Sequence, residues 1–451
     1  MGAHPLMRAV VIGGGVAGLV AARRLALAGA SVVLLEASDR LGGRVASTEI
    51  GGVPVDSGAE SFAVRGGVVR ALVEQLGLGG DVRDPAGSAW VALADRTVPL
   101  PAGGLLGIPS SPLATDVRRV IDTAGSVRAY RDRVLPVLKV GRYERLGPLV
   151  RSRMGELVLE RLVAPVVQNV YGVDPDDVPI DAIAPGLNAE ITRTGSLSGA
   201  VLRLRTAAPP GAAAQGLVGG VHRLVAALTD AVRGLGVDVR TGTEALGIHP
   251  APFGGGITVT TAREDLAADR VVLAVDGAAA LGLLADAAPD LATMPRPAVA
   301  DSRAVLLRID DRRLDPAPRG TGVLRAAGRA GVQASALTHL TAKWPWLGER
   351  AGSGHHLVRV AYRGAAPVSD AVVLADASAL LGLEGLKPAD RADALWSDTA
   401  PALAPETLAI RAALAGAELP QGLVVAGSWV AGTGLASVVA SAERAATHGG
   451  S

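Results

Sequence analysis

Turn chemistry and hydrophobic periodicity point to an α/β fold, in which one parallel-sheet domain is assembled from separated stretches of chain. A second sheet and a helical subdomain are inserted between those stretches. Three observations carry this reading. The chain opens as strand, tight turn, helix and strand, repeats a helix-and-strand signal near its middle, and closes with a strand followed by a helix. Similar elements at the start, middle and end of 451 residues imply one discontinuous domain, since a chain this long exceeds what a single core organises.

Arg8 to Ile12 is an apolar run of strand length, Gly13 to Gly15 a turn, Val16 to Ala28 a helix, and Ser31 to Leu35 a second β-rich run. Continuous apolar runs of this kind suit parallel strands buried on both faces. Downstream, Val221 to Leu235 reads as a helix, Val237 to Thr241 as extended chain, and Arg270 to Val275 as another buried strand. Gly422 to Ala426 is the last strand, and Leu435 to Ala446 the closing helix. From Ser111 to Arg205 the period is mostly helical, with Pro-bounded joints and many arginines: Arg118, Arg119, Arg128, Arg131, Arg133, Arg142, Arg145, Arg151 and Arg153. Most of these read as solvated helix faces. Short β-like runs return at Ala304 to Ile309 and Leu357 to Tyr362, while Ala207 to Gln215 and Asp286 to Pro297 read as linkers. The expected division assigns residues 7–85, 211–298 and 419–448 to the parallel-sheet domain, 86–112 and 299–418 to the second sheet, and 113–210 to the helical subdomain.

Composition removes several classes of function. With 44 Lys and Arg against 43 Asp and Glu, the net charge is +1, so the electrostatic footprint of a general nucleic-acid binder is missing. The absence of cysteine excludes disulfides, thiolate metal sites, iron–sulfur clusters and a cysteine nucleophile. No metal site is expected from the seven histidines: His355 and His356 are adjacent, and His222 has no carboxylate at a telling offset. No apolar run reaches the roughly 18 to 20 residues of a membrane span, and Met1 to Met7 does not resemble a signal peptide, so a cytoplasmic location is expected. Leu100 to Leu113 is apolar enough for peripheral membrane contact, but its Gly and Pro content favours a loop. Aromatic residues make up only 2% of the chain. Aliphatic side chains must therefore build the cores and face any flat ligand.

Gly13-Gly14-Gly15-Val16-Ala17-Gly18 fits G-x-G-x-x-G between a strand and a helix. In that setting Gly13 permits the turn, Gly15 lets the backbone approach a pyrophosphate at the helix N-terminus, and Gly18 lets the helix pack closely on the strand. Glu36 ends the next strand 23 positions after Gly13, where a carboxylate accepts hydrogen bonds from a ribose hydroxyl. Together these features indicate a Rossmann-like dinucleotide site.

The following run, Ala37-Ser38-Asp39-Arg40-Leu41-Gly42-Gly43-Arg44, resembles the glycine-rich segment of flavoproteins in the amine oxidase, phytoene desaturase and protoporphyrinogen oxidase group. The resemblance implies FAD, with cofactor contacts at Ala37, Arg40, Gly42 and Gly43, and with Arg44 reaching the phosphates. Asp56-Ser57-Gly58-Ala59-Glu60-Ser61-Phe62 looks like the "DxGAESF" segment of bacterial porphyrinogen oxidases, and places Gly58, Ala59, Glu60 and Ser61 at the cofactor. Pro99-Leu100-Pro101, Leu106 to Pro112, Val170 to Pro175, Gly195-Ser196-Leu197, Gly219 to Leu224 and Lys343-Trp344-Pro345 have counterparts in the same family. Near the C-terminus, Val424 to Trp429 and Gly432 to Ser437 resemble its last flavin-binding segment. Gly427, Trp429, Gly434, Leu435 and Ala436 are the implied contacts there, with amides at the start of the closing helix facing the flavin pyrimidine edge. Ala245 falls where the family sets a backbone against the adenine.

The resemblance therefore implies a p-hydroxybenzoate hydroxylase or amine oxidase-like architecture, and removal of hydride and proton pairs from a porphyrinogen, with molecular oxygen reduced to hydrogen peroxide. Such chemistry asks for placement more than for an acid or base, and no catalytic residue is singled out. Arg65 matches a position associated with substrate carboxylates, and arginine suits bidentate contact with propionates. Coproporphyrinogen III is the expected substrate. Protoporphyrinogen IX, an amine or polyene, and a non-catalytic relative that binds a porphyrin or a partner enzyme of haem synthesis remain as alternatives. The chain departs from the family at Leu435-Ala436-Ser437, where Pro-Asp-Cys is usual, and at Trp396 to Pro401, where the "MPQY" stretch is not recognisable.

Overall fold

The computed structural model describes residues 6–64, 66–135, 143–206, 214–251, 256–296, 299–399, 401–432 and 434–447. Arg65, Arg142, residues 207–213 of the expected linker and Thr433 of the closing glycine segment lie outside the described residues.

The parallel sheet runs in the order Asp238–Arg240, Ser31–Leu35, Arg8–Ile12, Arg270–Leu273, Leu423–Val425. Val10 sits between Val33 and Val271, and Val272 pairs with Val424. Side chains alternate between the two faces. Val11, Leu34 and Val272 pack under the opening helix (Val16–Leu27), the helix Arg223–Gly234 and the closing helix (Leu435–Thr447). Val10, Ile12, Leu35, Val271 and Leu273 pack on the opposite side against the antiparallel strands Ala245–Pro250, Ile257–Thr261 and Asp265–Ala268 and against Ile410. Each central strand is thus apolar after its first residue because both faces are covered.

A seven-stranded mixed sheet runs in the order Pro388–Thr399, Ala300–Asp310, His355–Arg363, Ala336–His339, Gly322–Arg325, Ala89–Ala92, Thr97–Pro99. The two runs anticipated as strands are direct antiparallel neighbours, with Leu307 opposite Val358. Pro388–Thr399 forms the edge strand although half of its residues are polar, and its backbone pairs with the long strand Ala300–Asp310. The face carrying Val305, Leu307, Leu337, Val358 and Val360 is closed by the helix Asp370–Leu381. The other face meets the hairpin Ser47–Ile50 and Val53–Asp56, where Leu306, Leu340, Trp344 and Leu357 enclose Ile50 and Val55.

Between Thr115 and Thr206 every named element of the described chain is a helix, joined by turns such as 172–179. Arg153 departs from the solvated-arginine expectation: its Nε donates to Asp132 Oδ1 at 2.7 Å, and both side chains are buried.

Beneath the second sheet, His339 Nε2 lies 3.0 Å from His356 Nδ1, and His356 Nε2 lies 3.1 Å from Asp315 Oδ1. Burial, helped by the neighbouring His356, pushes His339 down to about 4. The unfolded chain binds a proton near pH 6.5, which the folded chain refuses until about 4, so stability is full above pH 6.5 and falls as pH drops toward 4. The loss expected across that window is about 3 kcal/mol. Denaturant melts of wild type and His339→Leu at pH 8, 6 and 4 check it: the variant's profile should be flatter, and parallel profiles would refute the assignment.

Candidate functional site

The first glycine turn sits at the C-terminal ends of the parallel strands, where strand order reverses and such folds form a crevice. Gly13 has φ +104°, and a Cβ there would stand 2.6 Å from the Ala274 carbonyl oxygen. A Cβ on Gly18 would lie only 1.8 Å from the Gly13 carbonyl oxygen, so helix and turn meet only if this residue is glycine. At Gly15 a Cβ would meet nothing within 4 Å, and no side chain caps the helix that begins at Val16. Val16 and Ala17 send their side chains into the core, leaving their backbone to serve the turn.

Glu36 closes the turn from the neighbouring strand. Its Oε2 accepts the Gly14 N–H at 2.7 Å, and its Oε1 accepts from Ser38 N and Oγ at 2.9 and 2.7 Å. Ala37 follows it, and Arg40 is exposed, donating to the Gly43 carbonyl at 3.1 Å. The second glycine run lies against the first: Gly42 N donates to Gly14 O at 2.9 Å, and a Cβ on Gly43 would be 3.4 Å from Gly15 Cα. Arg44 follows, half-buried, with no side-chain hydrogen bond to any described residue. Burial lowers the pKa of its guanidinium, and Asp276 partly offsets this. An uncapped helix start, open space over Gly15 and a desolvated arginine fit a pyrophosphate group.

Gly58 is pressed onto this loop. A Cβ there would fall 2.0 Å from the Arg44 carbonyl oxygen, which also accepts Ala59 N–H at 3.3 Å. Glu60 turns toward the second sheet, its Oε1 accepting from Lys343 Nζ at 2.5 Å while its Oε2 forms an ion pair, without a hydrogen bond, with Arg359 Nη2 at 3.2 Å. Burial would raise this carboxyl, but the Arg359 and Lys343 charges outweigh it and hold the pKa below the usual range. Ser61 is half-buried beside it.

Ala245 opens its strand two residues after Thr243, whose N–H donates to the Glu36 carbonyl at 2.9 Å, so this strand starts close to Glu36. Gly427 has φ +119° and starts the short helix Ser428–Ala431. The Trp429 indole is 2% exposed and packed in the core with Ile12, Leu273 and Ile410, so its ring lies in the interior. Gly434, at φ +100°, precedes the closing helix, where Leu435 is buried and Ala436 half-buried. Arg411 donates to the carbonyls of Ser428 and Trp429, fixing the approach to this turn.

Several participants were not anticipated. His222 does have a carboxylate partner: its Nδ1 lies 2.7 Å from Asp56 Oδ1, across 166 residues of chain. Asp56 also accepts Val221 N–H at 2.8 Å and His222 N–H at 2.9 Å, so the helix starts at Arg223 rather than at Val221. Asp56 opens the quoted "DxGAESF" segment, and that is the signal that could have found it. For Arg359 and Arg411 no local signal exists. On the sheet face that carries Arg359, the residues Ala394, Ala304, Ala361, Ala336 and Leu324 stand in register across five strands. They form a smooth aliphatic row without rings.

The profile of the flavin containing amine oxidoreductase family matches residues 16–448. The chain is 32% identical over 96% of its length, and 96% of the other, to a coproporphyrinogen III oxidase of Mycobacterium leprae. Against the enzyme of the same description from Mycobacterium tuberculosis the identity is 31%, over 97% and 96%. A crystal structure of a protein from Exiguobacterium sp. 255-15, provisionally assigned as a protoporphyrinogen oxidase, superposes with a TM-score of 0.81 at 24% identity, covering 99% of this chain and 98% of that one. The chain belongs to the flavin containing amine oxidoreductase family, in its bacterial porphyrinogen oxidase branch.

Proposed function

We propose that the protein is an FAD-dependent oxidase that converts coproporphyrinogen III to coproporphyrin III in haem biosynthesis. The observation that carries this is the full-length similarity to coproporphyrinogen III oxidases at 32% identity, with the Gly13–Gly18 turn, Glu36 and the Gly42-Gly43-Arg44 run of that resemblance present. In this reading residues 7–85, 211–298 and 419–448 bind the cofactor, 86–112 and 299–418 supply the substrate sheet, and 113–210 the helical cover.

When bound, FAD supplies a two-electron acceptor and passes the electron pairs to molecular oxygen, giving hydrogen peroxide. The chain's own work is binding and placement. Amides at the start of the opening helix hold the pyrophosphate with Arg44, and Glu36 accepts from the ribose. Backbone around Gly42, Gly43 and Gly58 to Ser61 passes the flavin, Ala245 meets the adenine, and the segment from Gly427 to Ala436 presents helix amides to the flavin ring. Arg65 takes a propionate. The substrate loses six hydrogens in three two-electron steps, in total one C–H from each of its four meso carbons and two of its four N–H protons, while three O2 become three H2O2. Aromatisation drives the sequence, so a smooth aliphatic wall such as the alanine row suffices where a general acid or base is not required.

No helix among the described residues is long and apolar enough to cross a membrane. The reading places the enzyme in the cytoplasm, without a nucleic-acid partner.

The test is aerobic incubation of flavin-loaded protein with coproporphyrinogen III and, separately, protoporphyrinogen IX. Porphyrin fluorescence and peroxide should appear with the first at a higher kcat/KM. Preference for the second moves the assignment to a protoporphyrinogen IX oxidase, and loaded protein that oxidises neither would falsify the proposal.

A further inference from the structure

The residues Ser57 to Glu60 receive contacts from two strands of the second sheet and from the short helix Leu340–Lys343 that follows a third. Trp396 Nε1 donates to Ser57 O at 3.2 Å, and Arg359 Nη1 to Gly58 O at 3.1 Å. Lys343 Nζ donates to Glu60 Oε1 at 2.5 Å, and Arg359 Nη2 approaches Oε2 at 3.2 Å. The same segment is pressed on the flavin loop, because Gly58 has no room for a Cβ against Arg44 O. It is therefore the joint at which cofactor loop and second sheet are held in register.

The joint is also unbalanced in charge. The side chains of Glu60, Lys343 and Arg359 are 10%, 22% and 16% exposed, so two cations share one carboxylate away from solvent. The carboxylate stays ionised between them. Burial makes a surplus charge costly unless another negative charge lies within reach, and in low dielectric its field extends over several ångströms.

We propose that Glu60, Lys343 and Arg359 form a net-cationic positioning cluster that locks the second sheet to the flavin loop and raises the reduction potential of the bound flavin. Reduction adds negative charge to the ring system, and a fixed positive surplus beside the loop stabilises that charge without reorganisation. Glu60 acts through the two cations: it holds them in place and sets the surplus at one. The inference rests on flavin binding alone and stands or falls independently of which substrate is oxidised.

Potentials of the loaded protein, read spectroscopically against a mediating dye, test it. Glu60→Gln leaves two uncompensated cations and should shift the potential up. Lys343→Met removes the surplus and should shift it down. The double variant Glu60→Gln/Lys343→Met keeps a surplus of one and should return toward wild type, and Lys343→Arg should leave the potential unchanged. Flavin-free Glu60→Gln should also melt at a lower temperature than flavin-free wild type, because its cations lose their counter-ion. Shifts of the same sign in the two single variants, or none in either, would overturn the proposal. Should Glu60→Gln not fold, Lys343→Met against Lys343→Arg decides alone: a downward shift in the first only supports the cluster, and equal potentials reject it.

Discussion

Gly15→Val is expected to yield a folded but colourless protein. A Cβ at Gly15 meets no atom within 4 Å, and its φ of −69° suits any residue, so nothing in the chain itself opposes a side chain there. The space it would fill lies over the uncapped start of the opening helix, beside Gly43 and Arg44, where the proposed function puts the pyrophosphate. Flavin affinity should fall by about a hundredfold or more, or about 2.7 kcal/mol, while the flavin-free protein unfolds within about 1 kcal/mol of wild type. Gly18→Ala makes the contrast. Its methyl group would stand 1.8 Å from the Gly13 carbonyl oxygen, so helix and strand must separate, and stability should fall by about 1 to 3 kcal/mol before any ligand is added. Flavin absorbance after purification and urea melts of the flavin-free variants check both. Gly15→Val that retains wild-type flavin content rules out the site as drawn.

Asp132→Ala is expected to have the largest effect on stability outside the glycine turns. Its buried carboxylate accepts Leu197 N–H at 2.9 Å, Ser198 N–H at 2.8 Å, Ser198 Oγ–H at 3.0 Å and Arg153 Nε–H at 2.7 Å. Arg153 Nη2 in turn donates to the carbonyls of Asp132 and Gly195. One side chain thereby starts the helix Leu197–Thr206 and neutralises a buried guanidinium. Truncation strands that cation, at a cost of about 3 to 5 kcal/mol. Arg153→Met added to Asp132→Ala should recover part of the loss, since the stranded charge is gone while the two unpaired amides remain. Denaturant melts of the single and double variants measure this, and a cost below about 1 kcal/mol for Asp132→Ala contradicts it.

The parallel sheet was readable because its signals are local. Arg8–Ile12, Ser31–Leu35 and Arg270–Leu273 are apolar at nearly every position, which only strands covered on both faces require. The edge strand Pro388–Thr399 was not, because polar residues carry no periodicity that betrays pairing, and its neighbour decided its conformation. The helix expected from Val221 begins later for the same kind of reason: Asp56, distant in sequence, takes the amides of Val221 and His222.

Residue order alone was enough for the strand–turn–helix at Gly13 to Gly18, the glycine run after Glu36 and the family, since each depends on backbone conformations and spacings confined to a few neighbouring residues. Tertiary structure decided the pairing of charges. Lys343 and Arg359 meet Glu60 from 283 and 299 positions away, and Arg153 meets Asp132 through the packing of helices. A charged side chain carries no mark of its partner, for Coulombic attraction acts across space rather than along the chain. Which arginine is solvated and which is buried against a carboxylate is therefore fixed only when the layers close.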